Sequence, residues 1–111
     1  MSAVEIMDGW TDVGTLADIP RLGARIVGSA IGNIALFRTA GDELYAIEDR
    51  CPHKGGPLSQ GIVHGKGVSC PLHNWVIDLE TGVACAPDHG CTQVIEVRRD
   101  GQRVLLRIPR R

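Results

Sequence analysis

Cys51-Pro52-His53-Lys54-Gly55-Gly56-Pro57-Leu58-Ser59-Gln60-Gly61, followed by Cys70-Pro71-Leu72-His73-Asn74-Trp75, is the stretch that decides how this chain folds. Each half joins one thiol to one imidazole, as C-x-H and then C-x-x-H, with sixteen residues between the pairs. Thiolates suit iron–sulfur clusters and zinc, and imidazole suits iron, zinc and copper. A two-iron, two-sulfide centre with cysteines on one iron and histidines on the other needs such a divided donor set. One ligand of each kind per loop lets two adjacent loops clamp both metals. Pro52, Gly55, Gly56, Pro57, Gly61, Gly65, Gly67 and Pro71 punctuate the segment. Proline fixes the backbone and glycine admits tight geometry, which suits two rigid loops close to a cofactor.

The same four side chains could instead hold zinc, which accepts two cysteines and two histidines around a single ion. Zinc spacings usually group cysteines with cysteines and histidines with histidines, whereas each loop here carries one of each. Incidental packing of the four residues is the remaining alternative. The alternation favours the two-iron centre.

Outward from the loops, short strand signals alternate with glycine-containing turns. Gly61 to Val68 reads as a hairpin joining the two loops, which gives the spacing a mechanical reason. Trp10–Val13 reads as an opening strand and Leu16–Ile19 as a single turn stopped by Pro20. Gly23–Ala30 and Asn33–Thr39 are expected to pair around Ile31-Gly32, followed by strands at Leu44–Glu48 and Trp75–Asp78. Thr92–Arg98 and Arg103–Ile108 flank Asp100-Gly101, a pair favoured where a hairpin needs positive φ. No amphipathic helical pattern is sustained. The expected fold is all-β: a single domain over 1–111, built as a small antiparallel sandwich or partly closed barrel, with a cluster-binding subdomain at approximately 49–80.

Composition agrees. The 111 residues make one ordinary domain, and a net charge of −1 gives no basic footprint for nucleic acid. No run is long and apolar enough for a membrane span. The first residues lack a basic n-region and an apolar h-region, so the expectation is a cytoplasmic protein with neither nucleic acid nor membrane as partner. Four cysteines without an export signal read as metal chemistry rather than a disulfide scaffold.

Cys85, His89 and Cys91 admit a second metal site, a disulfide or ordinary packing; a reducing compartment favours packing. His64, in a glycine-flanked turn, is expected to be exposed and uncoordinated. Trp75 could cover the metal centre or serve the core, and Lys54 is expected to be solvated. No G-x-G-x-x-G fingerprint for a dinucleotide is present. Neither is a separate facial triad for oxygen activation. No independent catalytic site is expected.

The two loops, with Asp78-Leu79-Glu80-Thr81-Gly82 after them, strongly resemble the Rieske [2Fe–2S] family. The resemblance implies one [2Fe–2S] cluster per chain, with Cys51 and Cys70 on one iron and His53 and His73 on the other. Rieske centres span roughly −150 to +300 mV, above all-cysteine ferredoxins, because neutral imidazoles replace two thiolates. High-potential respiratory members add a disulfide cysteine to each loop and a serine beyond the second histidine. Gly56, Leu72 and Trp75 stand in the corresponding places here, which implies the lower part of that range.

A finer resemblance covers Ile34 to Gly65, Cys70 to Gly82 and Ala86-Pro87-Asp88-His89-Gly90-Cys91. These runs look like the small-subunit family of bacterial assimilatory NAD(P)H-dependent nitrite reductase. That resemblance implies a one-electron component supporting reduction of nitrite to ammonium by a large subunit. FAD, siroheme and a [4Fe–4S] centre would belong to that partner, and the chain would be enzymic only as its small subunit. The ferredoxin component of an aromatic-ring dioxygenase is the alternative. Nicotinamide preference, stoichiometry and docking surface are not encoded in these motifs.

Overall fold

The run Ile34-Ala35-Leu36-Phe37 is apolar at every position, and all four residues are buried. Successive strand residues face opposite sides of their sheet, so this strand needs a core on each face. The computed structural model describes residues 4–5, 9–51, 56–71, 75–85 and 90–108. The strands are β1 (Val4–Glu5), β2 (Trp10–Thr15), β3 (Gly23–Ser29), β4 (Gly32–Arg38), β5 (Leu44–Glu48), β6 (Ile62–His64), β7 (Gly67–Ser69), β8 (Val76–Asp78), β9 (Val94–Asp100) and β10 (Arg103–Arg107). Single 3-10 turns at Leu16–Asp18 and Leu58–Gln60 are the only helical pieces among the described residues. The fold is all-β, as expected.

Seven strands form a curled half-barrel sheet in the order β1-β2-β10-β9-β5-β4-β3, and β6-β7-β8 form a second sheet. Ile34 and Leu36 face into the half-barrel, where Val13, Ile19, Val27, Ile95, Val104 and Leu106 meet them. Ala35 and Phe37 face the other way and join Ile47, Leu58, Val63, Val68, Ile77 and Leu79. β5 repeats the division, with Ala46 in the first core and Ile47 in the second. β4 and β5 are therefore a shared wall.

The half-barrel is drawn together by side chains as well as strands. A register shift leaves Val13 as an extra residue opposite Val104/Leu105, a bulge that accompanies its burial in the barrel core. Arg25 of β3 donates to the Val13 carbonyl of β2. Arg38 of β4 donates to the Leu16 and Ile19 carbonyls at 3.4 and 3.0 Å. Its Nε also binds Asp42 at 2.9 Å, the main reason the Asp42 carboxyl lies below its ordinary pKa. Arg103 grips both Asp12 oxygens at 2.9 and 2.6 Å, and this hydrogen bonding holds the Asp12 carboxyl low in the same way.

The expected hairpins form with small shifts at their turns. Ser29 pairs with Gly32, so the β3–β4 turn is Ala30-Ile31, one residue before the expected position. Asp100 pairs with Arg103, which places Gly101-Gln102 in the β9–β10 turn, one residue after it. There the glycine supplies the positive φ of 60° at the first central position.

One extended segment stitches the sheets together. Cys91 pairs with Val83 beside β8, and the chain then runs on as β9 between β5 and β10. Thr92 N–H donates to the Gly82 carbonyl at 2.8 Å, and Glu48 N–H donates to the Gln93 carbonyl at 2.9 Å. At this junction Gly82 has φ 74°, and a Cβ there would overlap the Thr92 carbonyl oxygen. Both conformation and space demand glycine.

Candidate metal centre

β5 carries the chain to the first loop. Asp49 N–H donates to the Asn33 carbonyl at 2.9 Å, and Cys51 N–H donates to the Gly56 carbonyl at 2.9 Å. β7 leads to the second, where Cys70 N–H donates to the Trp75 carbonyl at 2.7 Å. Each cysteine therefore opens a loop closed by the same clasp, from its own N–H to the carbonyl five residues on. In sequence, His53 lies inside the first clasp and His73 inside the second. His53, Lys54, His73, Asn74 and His89 lie outside the described residues.

The connecting hairpin sets one loop against the other. Ile62 pairs with Ser69, Val63 with Val68 and His64 with Gly67, as the sequence suggested. Gly65 supplies the turn with φ 58°. A Cβ at Gly61 would overlap the Ser69 carbonyl oxygen, so the end of the first loop region packs tightly on the residue before Cys70. Val63 and Val68 are buried in the same core as the two cysteines.

Cys51 and Cys70 are 2% and 1% exposed within this one apolar cluster. A buried thiolate is stable only with a compensating charge beside it, and a metal cation supplies one. No buried side-chain nitrogen or oxygen among the described residues lacks a partner, so no orphaned polar group competes for the interior. Two soft donors buried in one core, each opening a clasped loop with a histidine in its sequence, fit a divided cluster.

The surroundings are structural. Trp75 is half-buried and packs against the cysteine core, which supports its core role. Tyr45 packs there too, and burial, then the neighbouring Glu43 charge, push its hydroxyl pKa up. Lys66, in the hairpin turn, pairs with Glu80 at 3.7 Å, and that charge raises its pKa. His64 is exposed, with Nε2 2.8 Å from Ser69 Oγ. Cys85 and Cys91 are exposed free thiols without a disulfide.

Sequence reading missed a polar brace. Asp49 accepts the Ser59 N–H at 2.7 Å and the Ser59 hydroxyl at 2.8 Å. The available signal was an acid two residues before Cys51 and a serine just beyond the same loop.

Residues 9–98 match the family described as the Rieske [2Fe-2S] domain. The chain belongs to that family. A Rieske domain binds a [2Fe–2S] cluster and is an electron-transfer component of oxidoreductase systems. The ferredoxin component of the naphthalene 1,2-dioxygenase system of Pseudomonas aeruginosa is 35% identical over 101 residues, covering 87% of this chain and 93% of that one. A 4beta-methylsterol monooxygenase of Methylococcus capsulatus is 41% identical over 78 residues, covering 70% of this chain. That match spans 18% of the larger protein.

Among solved structures, the ferredoxin of carbazole 1,9a-dioxygenase from Nocardioides aromaticivorans aligns with a TM-score of 0.76 at 26% identity, covering 86% of this chain and 95% of that one. A protein described as the small subunit of an NADPH nitrite reductase aligns with a TM-score of 0.79 at 24% identity, covering 87% and 96%. The latter is a likeness of fold alone. Among the described residues, no helix is long and apolar enough to cross a membrane.

Proposed function

We propose that this chain is a one-electron carrier whose Cys51, His53, Cys70 and His73 hold a [2Fe–2S] cluster, and that it acts as the ferredoxin of a ring-hydroxylating oxygenase system. The cysteines would bind one iron and the histidines the other, in a cluster-binding subdomain at about 49–80 of a single domain over 1–111. When bound, such a cluster stores a single electron at a potential raised by its two neutral imidazoles. The protein's own contribution is positional. The Cys51 and Cys70 amide clasps close the loops, and the apolar core around both thiols excludes water.

The near-full-length match to the ferredoxin component of a dioxygenase system supports this choice of partner. It reverses the order of preference drawn from the motifs. The small subunit of assimilatory nitrite reductase is a second reading, supported by the runs Ile34–Gly65 and Ala86–Cys91. Under that reading FAD, siroheme and a [4Fe–4S] centre sit on the large subunit. Both readings leave catalysis to the partner.

Anaerobic co-purification from the native host separates them: an oxygenase supports the first reading, and a siroheme-containing partner overturns it. Iron and sulfide analysis with EPR tests the ligands. Cys51→Ser or His73→Ala is expected to abolish the native cluster spectrum while the half-barrel still folds. An unchanged spectrum in either variant refutes the assignment.

A further inference from the structure

We propose that Asp49 is a positioning residue for the first ligand loop, acting through Ser59 to hold Cys51 in place and slow loss of the cluster. The inference rests on the ligand reading given above. Asp49 stands two residues before Cys51, and its own N–H is tied to the Asn33 carbonyl at the start of β4. Its two carboxylate oxygens are both spent on one residue: Oδ1 on the Ser59 N–H at 2.7 Å and Oδ2 on the Ser59 hydroxyl at 2.8 Å. In sequence this grip brackets the first loop, from residue 49 to residue 59. Inside it lies the Cys51 N–H to Gly56 carbonyl bond at 2.9 Å. The first loop therefore carries nested clasps, a side-chain one outside a backbone one.

Hydrogen bonds to an ionised acceptor are roughly twice as strong as neutral ones, and both Asp49 and Ser59 are half-buried. Ser59 follows Leu58, which is fully buried in the cysteine core. Holding Ser59 thus also seats Leu58 in the core that it shares with Cys51 and Cys70. The second loop is built differently. Val68 occupies the place two residues before Cys70, and it is fully buried in the same core. Packing holds the second loop and a carboxylate holds the first, so cutting the Asp49 grip loosens one side of the site selectively.

The test is a chelator challenge of the purified holoprotein, following loss of visible absorbance, with EPR of the reduced protein. D49A is expected to lose iron about tenfold faster, as removal of strong charge-assisted bonds implies, with shifted g-values reporting a displaced Cys51. D49N keeps one acceptor oxygen and is expected to recover part of the lifetime. S59A removes only the hydroxyl and is expected to accelerate loss about threefold. Because that hydroxyl works through Asp49, D49A/S59A should match D49A alone. If D49A does not load, D49N replaces it in the cycle.

Wild-type lifetime and g-values in D49A, or effects of D49A and S59A that multiply in the double variant, overturn the proposal. A wild-type protein without a [2Fe–2S] spectrum refutes the ligand reading instead.

Discussion

Leu36 and Leu58 are both 0% exposed, and they lie on opposite sides of the wall that β4 builds. Leu36 belongs to the half-barrel core and Leu58 to the core holding the cysteines. Truncating either to Ala removes three carbons, about 2.4 kcal/mol at ~0.8 kcal/mol per buried group. The cavity left behind brings the cost to roughly 3–4 kcal/mol. A chain of 111 residues has a stability of about 6–17 kcal/mol. Both variants should therefore fold, with a lower urea midpoint at unchanged slope and a Tm reduced by more than ~10 °C. Their clusters should behave differently. Only Leu58→Ala opens a void in the core shared by Cys51 and Cys70, so only it should accelerate chelator-driven loss of visible absorbance at matched fraction folded. Equal lifetimes in the two variants, whether both shortened or both native, would refute the division into two cores.

Gly82→Ala should destabilise by more than the ~1–2 kcal/mol of a left-handed backbone, because its Cβ would also overlap the Thr92 carbonyl; urea unfolding measures it, and a neutral effect contradicts the junction. Asp12 supplies the pH dependence. Its carboxyl, ordinarily at 3.8, is lowered chiefly by the Arg103 hydrogen bond. The folded state then binds fewer protons than the unfolded one, so this stability is complete above about pH 4–5 and lost as pH falls through the depressed value. Asp12→Asn should flatten the decline of Tm below about pH 4 and leave its slope between about pH 5 and 7 unchanged.

Much of this was legible in the sequence because strands and turns are written in local chemistry. The Leu44–Glu48 strand and the Gly61–Val68 hairpin appear as read. Turn centres slipped by a residue because register is set by cross-strand pairing, which a glycine alone does not fix. The double burial of Ile34–Phe37 could be suspected from four apolar residues in a row, but assigning odd and even faces to separate cores required the second sheet. The Asp49–Ser59 brace was invisible for a similar reason: its partners are ten residues apart and meet only because the loop between them closes.

Partner preference was the least legible feature. Ligand motifs belong to every Rieske carrier, so they specify the donor set without specifying who receives the electron. The distribution of residues between the two cores gives this a physical basis. Neither Cys51 nor Cys70 lies in the half-barrel core; both lie across the β4–β5 wall, under the small sheet. Folding of the half-barrel and retention of the cluster therefore draw on different side chains, and changes at one need not disturb the other. Such a division suits a module that occurs both as most of a dioxygenase ferredoxin and as a small part of a sterol monooxygenase. The β4–β5 wall stands between the two cores, so substitutions at exposed positions outside both leave the packing on either side of it in place.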